Sequence, residues 1–137
     1  SSLACKLMIP QESGLIVNFS FWAADRKDKG TAYSVAKAAT NKMTECMAYE
    51  LRENNVSVIT LYPGLVRSES VMRSKDFFDL SNSESPEFTG RVVCGLYNDG
   101  NLLKRSGSRI TSAELAMEYG IKDVDGKQPK PLTAKDC

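Results

Sequence analysis

Two apolar runs restrict this chain more than any other feature. Leu15-Ile-Val-Asn-Phe-Ser20 and Val56-Ser-Val-Ile-Thr-Leu-Tyr62 are nearly continuous in apolar residues. That is the pattern of strands covered on both faces, as in a parallel sheet. Between them, Thr31 to Asn54 carries the longest helical pattern in the chain. Ala36, Ala39, Met43, Cys46, Met47, Tyr49 or Glu50, and Leu51 form a broad apolar stripe, while Lys42, Glu45 and Arg52 fall elsewhere. The stripe predicts core or subunit contact. Strand, helix and strand make a βαβ unit with a right-handed crossover, so the expected fold class is α/β.

The flanking segments read less sharply. Residues 1–9 suggest a helix stopped by Pro10, and Asp25-Arg-Lys-Asp-Lys-Gly30 a solvated loop. Beyond Pro63-Gly64 the pattern predicts a short helix over 68–75, a polar loop over 81–86 and a helix from about 86 to 98. A short strand over 108–111 and a helix over 112–119, capped by Ser112, follow. Asp123-Val-Asp-Gly126 lacks the remaining ligands of a calcium loop and reads as a turn.

The chain contains no histidine. Ser-His-Asp and Cys-His nucleophile pairs, His-containing zinc sites and imidazole switches are therefore excluded. Acid–base chemistry falls to Tyr, Lys, Asp, Glu or Cys. A net charge of +1 gives no electrostatic footprint for nucleic acid. Cysteines at 5, 46, 94 and 137 are scattered and form no C-x-x-C, which predicts reduced thiols in an intracellular protein and no metal. The compartment expected is cytoplasmic or endoplasmic-reticulum associated. No run approaches the ~18 apolar residues of a membrane span.

The residues that carry chemistry are Tyr33 and Lys37, in Ala32-Tyr-Ser-Val-Ala-Lys37. Four apart on a helix, they share a face about one turn from each other. A phenol exchanges protons reluctantly at neutral pH, and a nearby ammonium favours the phenolate. Such pairs also arise by chance, so the surroundings decide. Ser20 stands thirteen residues before the tyrosine and Pro63-Gly64 thirty after it, and Gly14-Leu-Ile-Val-Asn-Phe-Ser20 leads in.

Together these residues resemble the short-chain dehydrogenase/reductase family, with specific motifs over roughly residues 1–75 and more loosely beyond. The resemblance implies a Rossmann-type doubly wound parallel sheet, of which this chain carries strands five to seven with their flanking helices. It implies hydride transfer between NAD or NADP and a small carbonyl or alcohol substrate. Tyr33 becomes the general acid/base, while Lys37 binds the nicotinamide ribose and lowers the tyrosine pKa. Pro63 and Gly64 lie beside the nicotinamide, with Val66 and Ser68 as further cofactor contacts. Ser68 reads equally well as a helix N-cap before Glu69. The resemblance also implies a homo-oligomer formed through helix 32–54.

Two departures qualify this. Counting thirteen back from Tyr33 puts the oxyanion-stabilising serine at Ser20, whereas counting seven on from Gly14 lands on Phe21, which can donate nothing. Strand neighbours face opposite ways, so only one can serve, and Ser20 is the expected catalytic residue. If Phe21 holds the position, the site lacks ~3 kcal/mol of transition-state stabilisation. Second, none of the nine glycines lies two residues from another, so the glycine-rich dinucleotide turn is missing. Residues 1–137 are therefore expected to be one partial domain, the catalytic half, with the dinucleotide-binding half absent and the fragment alone inactive. A non-catalytic dimerising or scaffold protein is the alternative.

Overall fold

A computed structural model describes residues 1–136; Cys137 lies outside the described residues. The sheet is parallel and three-stranded, in the order β1 (Gly14–Phe19), β2 (Val56–Tyr62), β3 (Arg109–Thr111). Gly14 pairs with Val56 through to Phe19 with Leu61, and β3 pairs with the end of β2 from Thr60 to Tyr62. The helices are α1 (Ser2–Gln11), α2 (Thr31–Leu51), α3 (Glu69–Arg73), α4 (Pro86–Tyr97), α5 (Leu102–Arg105) and α6 (Ser112–Tyr119). The α/β reading and the strand–helix–strand order thus hold. No helix among the described residues is long and apolar enough to cross a membrane.

Side-chain alternation along the strands creates two cores. Ile59 and Leu61 face Phe88, Val92 and Leu96 of α4 and Leu115 and Ala116 of α6. Val56 and Val58 face Ala48 and Leu51 of α2, with Met8 of α1 packed alongside. Every residue of β2 is buried, as its continuous apolar run requires, whereas β1 is only half-buried. Gly14 is where α1 crosses close to the sheet: a Cβ there would stand 2.6 Å from the Met8 side chain.

Of the stripe read on α2, only Leu51 and Met47 reach the core cluster. Asn41, Thr44, Ala48 and Leu51 are the buried residues, while Met43 is 46% and Tyr49 86% exposed. The physical reason lies in the sheet. On the α2 side it presents Asn18, Ser20 and Tyr62, and the helix meets them with polar partners. Asn18 Nδ2 donates to Thr44 Oγ1 at 2.9 Å, Asn41 Nδ2 to the Tyr62 hydroxyl at 2.7 Å, and Ser20 Oγ to the Lys37 carbonyl at 3.1 Å. Buried polar groups that satisfy one another outrank a hydrophobic count.

Three smaller differences have local causes. Pro10 lies inside the last turn of α1, where the helix still reaches Gln11 before Glu12 turns left-handed at φ 49°. The cap of α6 is Thr111, not Ser112, because Thr111 and Glu114 form a reciprocal capping box. The polar loop at 81–86 is buried over Ser83, Glu84 and Ser85, since Glu84 forms a parallel bridge with Val66.

Candidate active site

Tyr33 opens α2 two residues after Thr31, and Lys37 follows one turn later. Lys37 Nζ stands 5.5 Å from the centroid of the Tyr33 ring and donates to the Phe19 carbonyl at 3.4 Å. The ammonium is thereby drawn back over the C-terminal end of β1, toward the phenol. Tyr33 itself is 48% exposed.

A cavity of about 410 Å³ lies against Tyr33, lined also by Phe21, Gly64, Leu65, Phe78, Leu132 and Asp136. Besides Tyr33 of α2, its walls come from four places: the exit of β1, the Gly64-Leu65 segment at the exit of β2, Phe78 beyond α3, and the C-terminal tail. The position beyond the carboxyl ends of parallel strands is where α/β sheets open their crevices. The tail is fastened from below, because Trp22 Nε1 donates to the Leu132 carbonyl at 3.0 Å and Arg26 to the Ala134 carbonyl at 2.8 Å. Asp136 is folded back on Thr133, whose hydroxyl and amide hold its carboxyl below the usual carboxylate range.

Ser20 is not on this cavity. It is 3% exposed and shares the α2 face of β1 with Ile16 and Asn18, which commits its hydroxyl to Lys37 O. Phe21, one residue on, lines the cavity in its place. The structure therefore brings Tyr33, Lys37 and Gly64 together but turns Ser20 away. Ser68 caps α3, accepting from the Val71 amide at 3.4 Å. Val66 accepts from the Ser68 amide at 2.7 Å and bridges Glu84, and neither residue lines the cavity. Pro63 is half-buried at the end of β2.

Sequence reasoning missed Phe78, Leu132 and Asp136, which come from segments without a chemical motif. It also missed Glu84, buried directly behind Gly64. The one signal available was the count of seven from Gly14, which points at Phe21.

The geometry fits one end of a dinucleotide. Tyr33 and Gly64 share the cavity, with the Lys37 ammonium beside the Tyr33 ring, while a cradle for the pyrophosphate would need closely spaced glycines that this sequence does not contain.

Residues 1–77, more than half of the chain, match the family model for short chain dehydrogenases. The chain belongs to the short-chain dehydrogenase family. Among curated proteins, dehydrogenase/reductase SDR family member 1 of Mus musculus is 36% identical over 146 residues, covering 95% of this chain and 46% of the relative. The Homo sapiens protein of the same name is 34% identical over 140 residues, covering 93% and 45%. A solved short chain dehydrogenase/reductase family protein superposes with a TM-score of 0.67 at 27% identity, over 80% of this chain and 48% of that one. The chain thus spans about half the length of the curated relatives it matches.

Proposed function

We propose that this short-chain dehydrogenase chain supplies the catalytic half of an NAD(P)-dependent oxidoreductase acting on a small carbonyl or alcohol substrate. The remaining half of the fold, which would hold the adenine and pyrophosphate, would come from outside residues 1–137. The observation that carries this reading is the Lys37 ammonium 5.5 Å from the Tyr33 ring, beside a cavity that Tyr33 shares with Gly64.

In this reading the Tyr33 hydroxyl gives its proton to the substrate oxygen in reduction and takes it back in oxidation. The Lys37 charge offsets that of the phenolate and, through the ribose, helps hold the cofactor. Pro63 and Gly64 would form the wall against which the nicotinamide rests, with Val66 and Ser68 following in the same loop outside the cavity lining. NAD(P), when bound, supplies or accepts the hydride. Phe21, Leu65, Phe78 and Leu132 give the cavity an apolar lining, which favours a substrate with an apolar body.

Subunit pairing through helix 32–54 belongs to the same proposal. The outward face of α2 leaves Val35, Met43 and Tyr49 exposed, which supports contact with a second copy.

A non-catalytic scaffold is the second reading, and Phe21 is the observation that favours it. Turnover of the whole protein separates the two. Tyr33→Phe should reduce kcat by about 10²-fold or more while cofactor affinity stays within twofold. Unchanged turnover in that variant refutes the catalytic assignment.

A further inference from the structure

Behind the wall of the Tyr33 cavity lies a carboxyl that the chemistry above does not use. Glu84 is 1% exposed. Its main chain is a rung between the β2 exit and the segment before α4: its amide donates to Leu65 O and its carbonyl accepts from Arg67 N, both at 2.8 Å. Its side chain turns back onto the same loop. The Gly64 amide is directed at the carboxyl, and a Cβ built on Gly64 would stand 2.8 Å from Glu84 Oε1. Position 64 is therefore glycine because the glutamate occupies the space of its side chain.

The other oxygen is unserved. Glu84 Oε2 is buried with no hydrogen-bond partner among the described residues. A carboxylate in that condition is costly, and a neutral acid much less so. Burial pushes the Glu84 pKa up to about 7, with the Asp123 charge acting in the same direction and the Gly64 amide opposing both. The charged groups around it give no relief. Asp123, from the turn after α6, carries the same sign. Arg67, from the loop itself, is engaged at 3.0 Å by Asp123 and also donates to Ser83. Glu87, in the first turn of α4, is exposed to solvent.

We infer that Glu84 is the positioning residue of the Tyr33 cavity, its carboxyl setting the Gly64 turn that forms part of the cavity wall. The inference rests on the reading of this cavity as the ligand site. An ionised Glu84 holds the Gly64 amide more strongly than a neutral one, because a charged acceptor forms the stronger hydrogen bond. The wall is thus set by a proton that neither Tyr33 nor Lys37 carries.

The test follows the Gly64 backbone amide by NMR between pH 5 and 9, in the folded wild-type protein and in Glu84→Gln. The wild-type resonance should titrate with a midpoint near 7, and in Glu84→Gln it should stay flat. A Gly64 amide that does not titrate, or that titrates identically in Glu84→Gln, overturns the coupling. Cofactor binding to the whole enzyme supplies the functional arm. Glu84→Ala should raise the cofactor KM roughly tenfold or more, because the wall loses its support, with kcat at saturation within about twofold. Unchanged KM in a folded Glu84→Ala protein overturns the positioning role. Tyr33→Phe, which alone tests the catalytic reading, leaves the Gly64 titration in place, so the two failures are told apart.

Discussion

The Ser20 hydroxyl donates a hydrogen bond to the main-chain carbonyl of Lys37 across 3.1 Å. The bond ties the end of β1 to the turn of α2 that carries the cationic partner of Tyr33. It also directs the Ser20 hydroxyl into the protein, while Phe21 lines the cavity. Ser20→Ala should cost about 0.5–1.5 kcal/mol of stability, the worth of one hydrogen bond, and change kcat by less than about threefold. Phe21→Ser should instead raise kcat, by roughly tenfold or more, if the proposed reduction takes place in this cavity, since it places a hydroxyl donor on the cavity wall beside Tyr33. Thermal denaturation and steady-state rates on the whole enzyme check both. A Ser20→Ala variant as impaired as Tyr33→Phe would return Ser20 to the reacting centre.

The polar interior of α2 carries a second expectation. Asn41 Nδ2 donates to the Tyr62 hydroxyl at 2.7 Å, and the Tyr62 ring packs edge-on to Trp22 with centroids 5.0 Å apart. Arg109 also reaches the Tyr62 hydroxyl. Tyr62→Phe strands the buried Asn41 amide, whose Oδ1 already lacks a partner among the described residues, and should cost about 1–3 kcal/mol. Asn41→Leu leaves the hydroxyl with Arg109 and should cost less. In the double variant the losses should fall short of their sum, because one bond is being removed twice. Denaturant unfolding of the four proteins measures this directly.

These same residues explain what could be read in advance. The strands at Gly14–Phe19 and Val56–Tyr62 were legible because burial on both faces leaves a continuous apolar run. Tyr33 and Lys37 were legible because one helical turn converts a spacing of four into proximity. The buried face of α2 was not. Asn41 and Thr44 are polar by composition, and only their partners Tyr62 and Asn18, on separate strands, make their burial affordable. Glu84 was hidden for a related reason: a run of Ser, Asn and Glu looks solvated until Leu65 and Arg67 bond its backbone. Ser20 against Phe21 is a matter of strand parity, and the parity is fixed by Asn18, two residues earlier, bonding to α2.

The tail that closes the cavity hangs on few contacts. Trp22 holds Leu132 through one indole hydrogen bond, while Asn82 exchanges two with Lys130. Trp22→Phe keeps a ring against Tyr62 but loses the donor. Amide hydrogen exchange over residues 129–136 should then accelerate, and the substrate KM should rise several-fold with little change in kcat. Unaltered exchange in the tail would show that its other anchors suffice.

Glu84 makes stability fall as pH rises, the reverse of the usual carboxylate. Its folded pKa, near 7, lies above the ordinary 4.5, so between those values the folded state holds a proton that the unfolded state has released. Stability from this group is complete below about pH 4.5 and lost as pH climbs through 7, where the buried charge must be carried. The loss at pH 8 is on the order of 3 kcal/mol. Asp123 works in the opposite sense and in a different window. Burial opposes its ionisation, but Ser85, the Val124 amide and Arg67 outweigh it and hold the carboxyl below 3.8, so its contribution disappears only as pH falls through the acid range. Glu84→Gln removes the charge and keeps the shape. It should match wild type near pH 4.5 and exceed it at pH 8, flattening the denaturation midpoint between them. A wild-type midpoint that stays level from pH 5 to 8, or a Gln variant that follows the wild-type slope, would mean that Glu84 ionises freely where it is buried.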